Sequence, residues 1–482
     1  MGKLHKRRRG YSDEELDEEE EDFEDDEDVE EEDEDEEDDE IEDEDYDDEA
    51  ERRAYRHRRR IRNQIIVYLV IFFVAAGIVA GGIVVGSKAA SFVKQKRQAA
   101  EEKAKEEAAE QEEPEEEMVI DTPEPAEEEP GEEEDILGEL AESYYSEMSI
   151  ENKVAGLFMV TPESITGVKT ATKAGDGTQE ALNQYAVGGL IYFGQNILDK
   201  EQIMTMLSNT ASMSNYPIFL AVDEEGGDVS RVANSKIEVT KVDDMASVGA
   251  GGDASLAADA GATIGSYLNE IGFNVDFAPV ADVAGEGSAL GSRSFGSDPQ
   301  VVSEMVASAV GGIEGAGVSA CLKHFPGLGS TTEDTHDGRV EIAKSLEEMR
   351  ASDFVPFSAG IEAGADFVMV SHATAPALDE DNVPSSLSKK VITDILRGEL
   401  GFEGVVITDA LDMTAITDYY PTEDAAVMAL EAGADMLLMP DDFEKAYNAV
   451  LAAVQEGTIS EERINESLDR IYRVKCAGKL EN

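Results

Sequence analysis

Two of the chain's five histidines stand twelve positions apart in one stretch, KHFPGLGSTTEDTHDG, running from Lys323 to Gly338. Glycines and short polar residues fill the gap, so the stretch reads as a loop that gathers imidazoles, hydroxyls and carboxylates. Imidazole changes charge near neutral pH and is suited to moving a proton. A third histidine, His372, closes the apolar run DFVMVSH, and Asp409 nearly closes another, GVVITDA. A carboxylate can attack an electrophilic carbon while a positioned imidazole donates a proton; the same residue types can instead hold a metal that activates water. One histidine at a strand end is more often a satisfied structural residue. Three of them together with ionisable residues from several strands favour a site.

The elements that must hold these residues show as eight short apolar runs, at 156–160, 188–193, 218–227, 274–283, 319–325, 366–372, 404–410 and 435–440, alternating with longer amphipathic stretches. Near-continuous apolar strands are what a parallel sheet covered by helices requires, and eight βα units close an α/β barrel of the TIM type, (β/α)8. An internal echo agrees: EAGADFVMV and EAGADMLLM repeat one helix end, glycine turn and strand start. A doubly wound open sheet is the alternative, but no G-x-G-x-x-G follows the first run. The C-terminal ends of the runs carry Asp223, Glu224 and Glu225, then Asp282, then Lys323 and His324, then Ser371 and His372, then Thr408 and Asp409. Barrel active sites are built on that face.

Metal-dependent barrel hydrolases usually open with His-x-His on the first strand, and GLFMVTPES has no histidine. No Cys-x-x-Cys and no Asp-rich calcium loop appears either, so the expectation is no metal and no cofactor. Cys321 and Cys476 are too few for a disulfide framework and read as buried thiols.

Before the barrel the composition changes three times. The formal net charge of -69 is concentrated in 11–50, where 32 of 40 residues are Asp or Glu. Such a block repels itself and buries little, so 1–63 is expected to be a disordered acidic tail with a basic end. Nothing in this balance points to nucleic acid as a partner. Ile65 to Gly86 is a run of 22 residues without a charge, ~33 Å long as a helix and enough to cross a bilayer. Seven arginines between Arg52 and Arg62 face four basic residues between Lys88 and Arg97. The positive-inside rule then puts the N-terminus in the cytoplasm, 64–87 in the cell membrane as a single-pass signal anchor, and the rest outside. Gly77 to Gly81 and Gly82 to Gly86 have the spacing of a weak helix-pairing face. Residues 88–135, rich in Glu, Ala, Lys and Pro, read as an acidic stalk, and 136–482 as the barrel domain.

KHFPGLGSTTEDTH, VDEEGGDVSR, RSFG and GFEGVVITDALDM together resemble the bacterial β-N-acetylglucosaminidases of glycoside hydrolase family 3, over about Met148 to Lys475. The resemblance implies that Asp409 is a nucleophile and that His336, paired with Asp334, is the general acid/base. It also implies that Asp223, Arg231, Arg293, Lys323 and His324 hold sugar hydroxyls. Two positions depart from the family's pattern: Leu328 stands where a second histidine is common, and Ser330 where Asp is frequent.

Retaining glycosidases need an ionised carboxylate at the anomeric carbon and an acid at the leaving oxygen, usually a second carboxyl. Here the resemblance makes that acid a loop histidine. The implied activity is removal of β-linked N-acetylglucosamine from cell-wall, peptidoglycan-derived saccharides through a covalent glycosyl-aspartate. Alternatives are a β-glucosidase of the same family, a metal-dependent barrel hydrolase and a non-catalytic envelope sugar-binding protein. An adjacent Asp223-Glu224 pair also leaves open a mechanism in which the substrate's own acetamido group attacks.

Overall fold

The computed structural model describes residues 135–480, apart from Glu286, Asp334, His336 and Asp337. The acidic tail, the proposed membrane anchor, nearly all of the stalk and the Asp334/His336 pair lie outside the described residues. No helix among the described residues is long and apolar enough to cross a membrane.

All eight apolar runs form strands: β1 Phe158–Val160, β2 Gly189–Ile191, β3 Phe219–Val222, β4 Val275–Asp276, β5 Ser319–Phe325, β6 Phe367–Val370, β7 Val405–Thr408 and β8 Leu437–Leu438. They pair in parallel in the order β8-β1-β2-β3-β4-β5-β6-β7. A parallel bridge between Ile407 and Met436 joins the two ends of that order, closing the sheet into a barrel. The fourth run is longer than its strand: past Asp276 the chain keeps only a bridge from Val280 to Lys323.

Helices alternate with the strands: α1 Ile136–Tyr145 precedes β1, and α2 Asp176–Gln184, α3 Lys200–Met213, α4 Ala254–Ile271, α5 Pro299–Gly315, α6 Phe354–Glu362, α7 Lys390–Arg397 and α8 Thr422–Ala432 connect successive strands. After β8 come α9 Phe443–Glu456 and α10 Glu461–Leu480. Aspartate marks several helix starts. Asp199, Asp253, Asp298 and Asp442 accept the free N–H groups of α3, α4, α5 and α9, each a cap that stabilises by about 1 kcal/mol. The repeated EAGAD turns behave alike: Gly364 and Gly433 have φ of 94° and 114°, a left-handed conformation that lets the helix stop and the strand begin.

The barrel's floor is covered by α10. Near its start Arg463 donates to Ala434 O and Ser467 to Asp435, just before β8. Near its end the Lys475 ammonium sits 4.7 Å from the centre of the Phe219 ring, at the first residue of β3. That ring meets Phe367 of β6 edge-on at 5.1 Å, so both strands turn their first residues into the barrel. Beside α10 lies α1, with Tyr144 stacked on Tyr472 at 5.5 Å and Arg473 donating to Asp135. Cys321 and Cys476 are free, buried thiols.

Candidate active site

A cavity of about 420 Å3 opens at the C-terminal ends of the strands. Asp223, Arg231, Arg293, Lys323, His324 and Asp409 all line it, so the six site residues within the described part of the chain come together. Asp334 and His336 lie outside the described residues, and their neighbours Glu333 and Thr335 line the cavity.

Alternation along the chain after β3 decides which acidic groups reach the cavity. Asp223 and Glu225 face inward, while Glu224 turns the opposite way and is fully buried. Its carboxylate accepts from Val232 N at 2.7 Å, Ala233 N at 2.8 Å and the Tyr267 hydroxyl at 2.8 Å. Burial pushes that carboxyl up, against the pull of these hydrogen bonds. Glu224 therefore pins the hairpin made by Glu224–Gly226 and Val229–Ser230, which delivers Arg231, and it does not reach the cavity. The Asp223-Glu224 pair thus cannot jointly polarise an acetamido group.

Glu225 organises the cationic side. Its carboxylate accepts from Lys323 Nζ at 2.6 Å and takes a two-point contact from Arg293, at 2.8 Å and 2.7 Å. Burial would raise this carboxyl, but Lys323 and Arg293 pull it down to about 2. Lys323 also donates to Asp223 at 2.9 Å. Burial disfavours its charge, yet Asp223 and Glu225 more than offset that and keep it an ammonium. His324 is fixed by Asp282, whose carboxylate accepts from the His324 backbone at 3.0 Å and contacts Nδ1 at 2.8 Å. Asp282 also accepts the Leu328 N–H, so one carboxylate ties the strand end to the base of the loop. Leu328 is buried and contributes apolar wall where the family's pattern has a second imidazole.

Across the barrel Asp409 follows β7. Its N–H donates to Val370 O at 2.9 Å, and its carboxylate accepts the Ala410 N–H at 2.8 Å. Thr408 accepts Leu438 N–H at 3.1 Å through its hydroxyl, which locks the end of β7 against β8. Burial pushes the Asp409 carboxyl up, while His372, His324, the Ala410 N–H and Lys323 pull it further down, leaving it below the ordinary aspartate range. His372 is not a cavity residue. It is fully buried, with Nδ1 2.8 Å from Ser386 Oγ and Nε2 2.8 Å from Ala410 O, and so holds the peptide that follows Asp409.

Glu225 and Asp282 are the residues that role assignment from sequence missed. Both stood visibly at the ends of apolar runs; what was hidden is their pairing with Arg293 and His324, 68 and 42 positions away. Among the described residues no group of three or more His, Cys, Asp and Glu side chains is placed to hold a metal ion.

The family model described as the glycosyl hydrolase family 3 N terminal domain matches residues 149–474. The chain belongs to glycosyl hydrolase family 3. Within the family it is 36% identical over 274 residues to a beta-hexosaminidase of Stenotrophomonas maltophilia, covering 56% of this chain and 81% of that one. It is 33% identical over 327 residues to beta-hexosaminidase A of Pseudoalteromonas piscicida, covering 61% of this chain but only 54% of the relative. Among solved structures, the family 3 beta-N-acetylglucosaminidase of a Paenibacillus species superposes with a TM-score of 0.65 and 36% identity, covering 70% of this chain and 64% of that one. The family 3 domain thus spans little more than half to about two thirds of the length of two of these relatives.

Proposed function

We propose that the protein is a retaining β-N-acetylglucosaminidase that removes N-acetylglucosamine from peptidoglycan-derived saccharides through a covalent intermediate on Asp409. The observation that carries this reading is the cavity itself. An aspartate held below its ordinary pKa faces a buried, charge-paired set of Asp223, Glu225, Arg293 and Lys323 across a space the size of a sugar ring with room to spare. The carboxylate is ready to attack the anomeric carbon, and the paired set offers fixed donors and acceptors for hydroxyl groups. Support for the sugar's identity comes from the relatives' names, and support for the acid from Thr335 at the cavity wall, whose neighbours are Asp334 and His336. In this reading His336, oriented by Asp334, protonates the leaving oxygen and then draws a proton from water.

Residues 1–63 are the cytoplasmic tail, 64–87 the membrane anchor and 88–135 the stalk that carries the 136–482 domain outside the cell. The glycine spacing at Gly77 to Gly86 gives the anchor a face for weak pairing with a second copy.

A fluorinated slow substrate tests the chemistry. The expected result is a sugar-sized mass increase on the peptide containing VVITDALDM and its absence in Asp409→Gly. His336→Ala is expected to slow glycosides with poor leaving groups far more than activated aryl glycosides, since only the former need protonation. Strong inhibition by thiazoline analogues without a label on Asp409 would hand the attack to the substrate's acetamido group.

A further inference from the structure

A second depression, of about 590 Å3, lies on the same face between the loops that follow β2 and β3. It shares Phe193 and Arg231 with the cavity that holds Asp409. The Arg231 guanidinium sits 5.8 Å from the centre of the Phe193 ring and forms the partition between the two spaces. That partition is loosely held. Its ion pair with Asp223 is 3.6 Å long, and the buried Nε of Arg231 has no hydrogen-bond partner.

Barrel topology sets what this depression can receive. Asp409 follows β7, whereas Asp223 and Arg231 follow β3, four strands away in a ring of eight and hence on the opposite side. A pyranose with its anomeric carbon in attacking range of Asp409 turns C4, the atom across the ring, toward Arg231. A substituent on O4 is therefore aimed past Arg231 into the depression. Phe193, Ile197 and Leu198, the last 49% exposed, give it an apolar strip, and Ser230 and Asn234 stand beside them. Lys236 and Asp228 balance in charge, as do Arg231 and Asp223. An apolar strip with short polar neighbours and no excess charge suits the C–H face and hydroxyls of a neutral sugar, and does not suit an anion.

We infer that this depression is a second glycosyl subsite, for a sugar linked to O4 of the residue that Asp409 attacks, so that disaccharide units leave as well as single residues. The inference rests on the glycosidase reading, and two substrates separate them. An aryl β-N-acetylglucosaminide reports on that reading; the aryl glycoside of the O4-linked disaccharide reports on the subsite. The wild-type protein is expected to release the aryl group from the disaccharide substrate without a lag, with the intact disaccharide in the mass spectrum. Gly194 borders the depression, and the space where its Cβ would stand is open, so Gly194→Trp can fill the groove without a backbone clash. That variant is expected to lose direct disaccharide release by about tenfold or more while hydrolysing the monosaccharide glycoside normally. Leu198→Ala is expected to raise KM for the disaccharide glycoside alone. Single residues appearing first, with delayed aryl release, would overturn the subsite, as would equal losses on both substrates in the two variants. A wild-type protein inert toward the monosaccharide glycoside would overturn the glycosidase reading itself.

Discussion

At the scale of single residues, the cavity depends on carboxylates that never touch the reacting carbon. Glu225 is the clearest case, because Lys323 and Arg293 both aim at it and both face the space where hydroxyls would sit. Glu225→Gln keeps the shape and removes the charge, leaving a buried ammonium and a half-buried guanidinium with less to oppose them. The expected outcome is a rise in KM of about tenfold with a smaller fall in kcat, and a stability loss on the order of 3 kcal/mol. Steady-state kinetics and urea unfolding measure the two separately. A fall in kcat at unchanged KM would instead place Glu225 in the transition state. Asp409 carries a pH signature of its own. Since its carboxyl is held below the ordinary aspartate range, the acid limb of kcat/KM should lie below that range too, and Lys323→Met, which removes one of the charges holding it there, should move the limb upward.

At the scale of elements, the two EAGAD segments show how one local sequence meets opposite surroundings. Asp435, before β8, lies among Arg397, Arg463 and Arg470, which knit α7 and α10 to the barrel floor. Asp366, before β6, instead faces Glu314 at the end of α5, with Ser319 donating to it at 2.6 Å. Burial and the nearby Asp366 charge push Glu314 up to about 8. The folded protein therefore holds that proton more tightly than the unfolded chain, so stability should fall as pH rises from the ordinary carboxylate range to about 8, then level off. Denaturant midpoints across that window check it, and Glu314→Gln is expected to flatten the slope. The strands themselves were legible because burial on both faces writes an unbroken apolar run, and every run named from sequence became a strand. The inward or outward choice at Asp223, Glu224 and Glu225 follows from simple alternation. What alternation does not reveal is the partner across the barrel: Asp282 for His324, Glu225 for Arg293, or Arg231 over Phe193. The GDVSR hairpin was also hidden, since two- and three-residue strands leave almost no periodic trace.

At the scale of the whole molecule, the proposal of an anchored exterior enzyme makes a topological prediction. Protease added to intact cells is expected to release an active fragment beginning between Glu101 and Asp135, with activity measured in the supernatant. Protection until lysis would reverse the orientation assigned from the arginines on either side of the apolar run. The covered floor has a separate consequence. The chain enters the described domain at Asp135, against Arg473 of the helix that closes the underside, while Asp409 opens on the other face. Coupling the domain to a bead or a sensor surface through its N-terminal end would therefore point its mouth into solution, where a long glycan can reach it without first meeting the support.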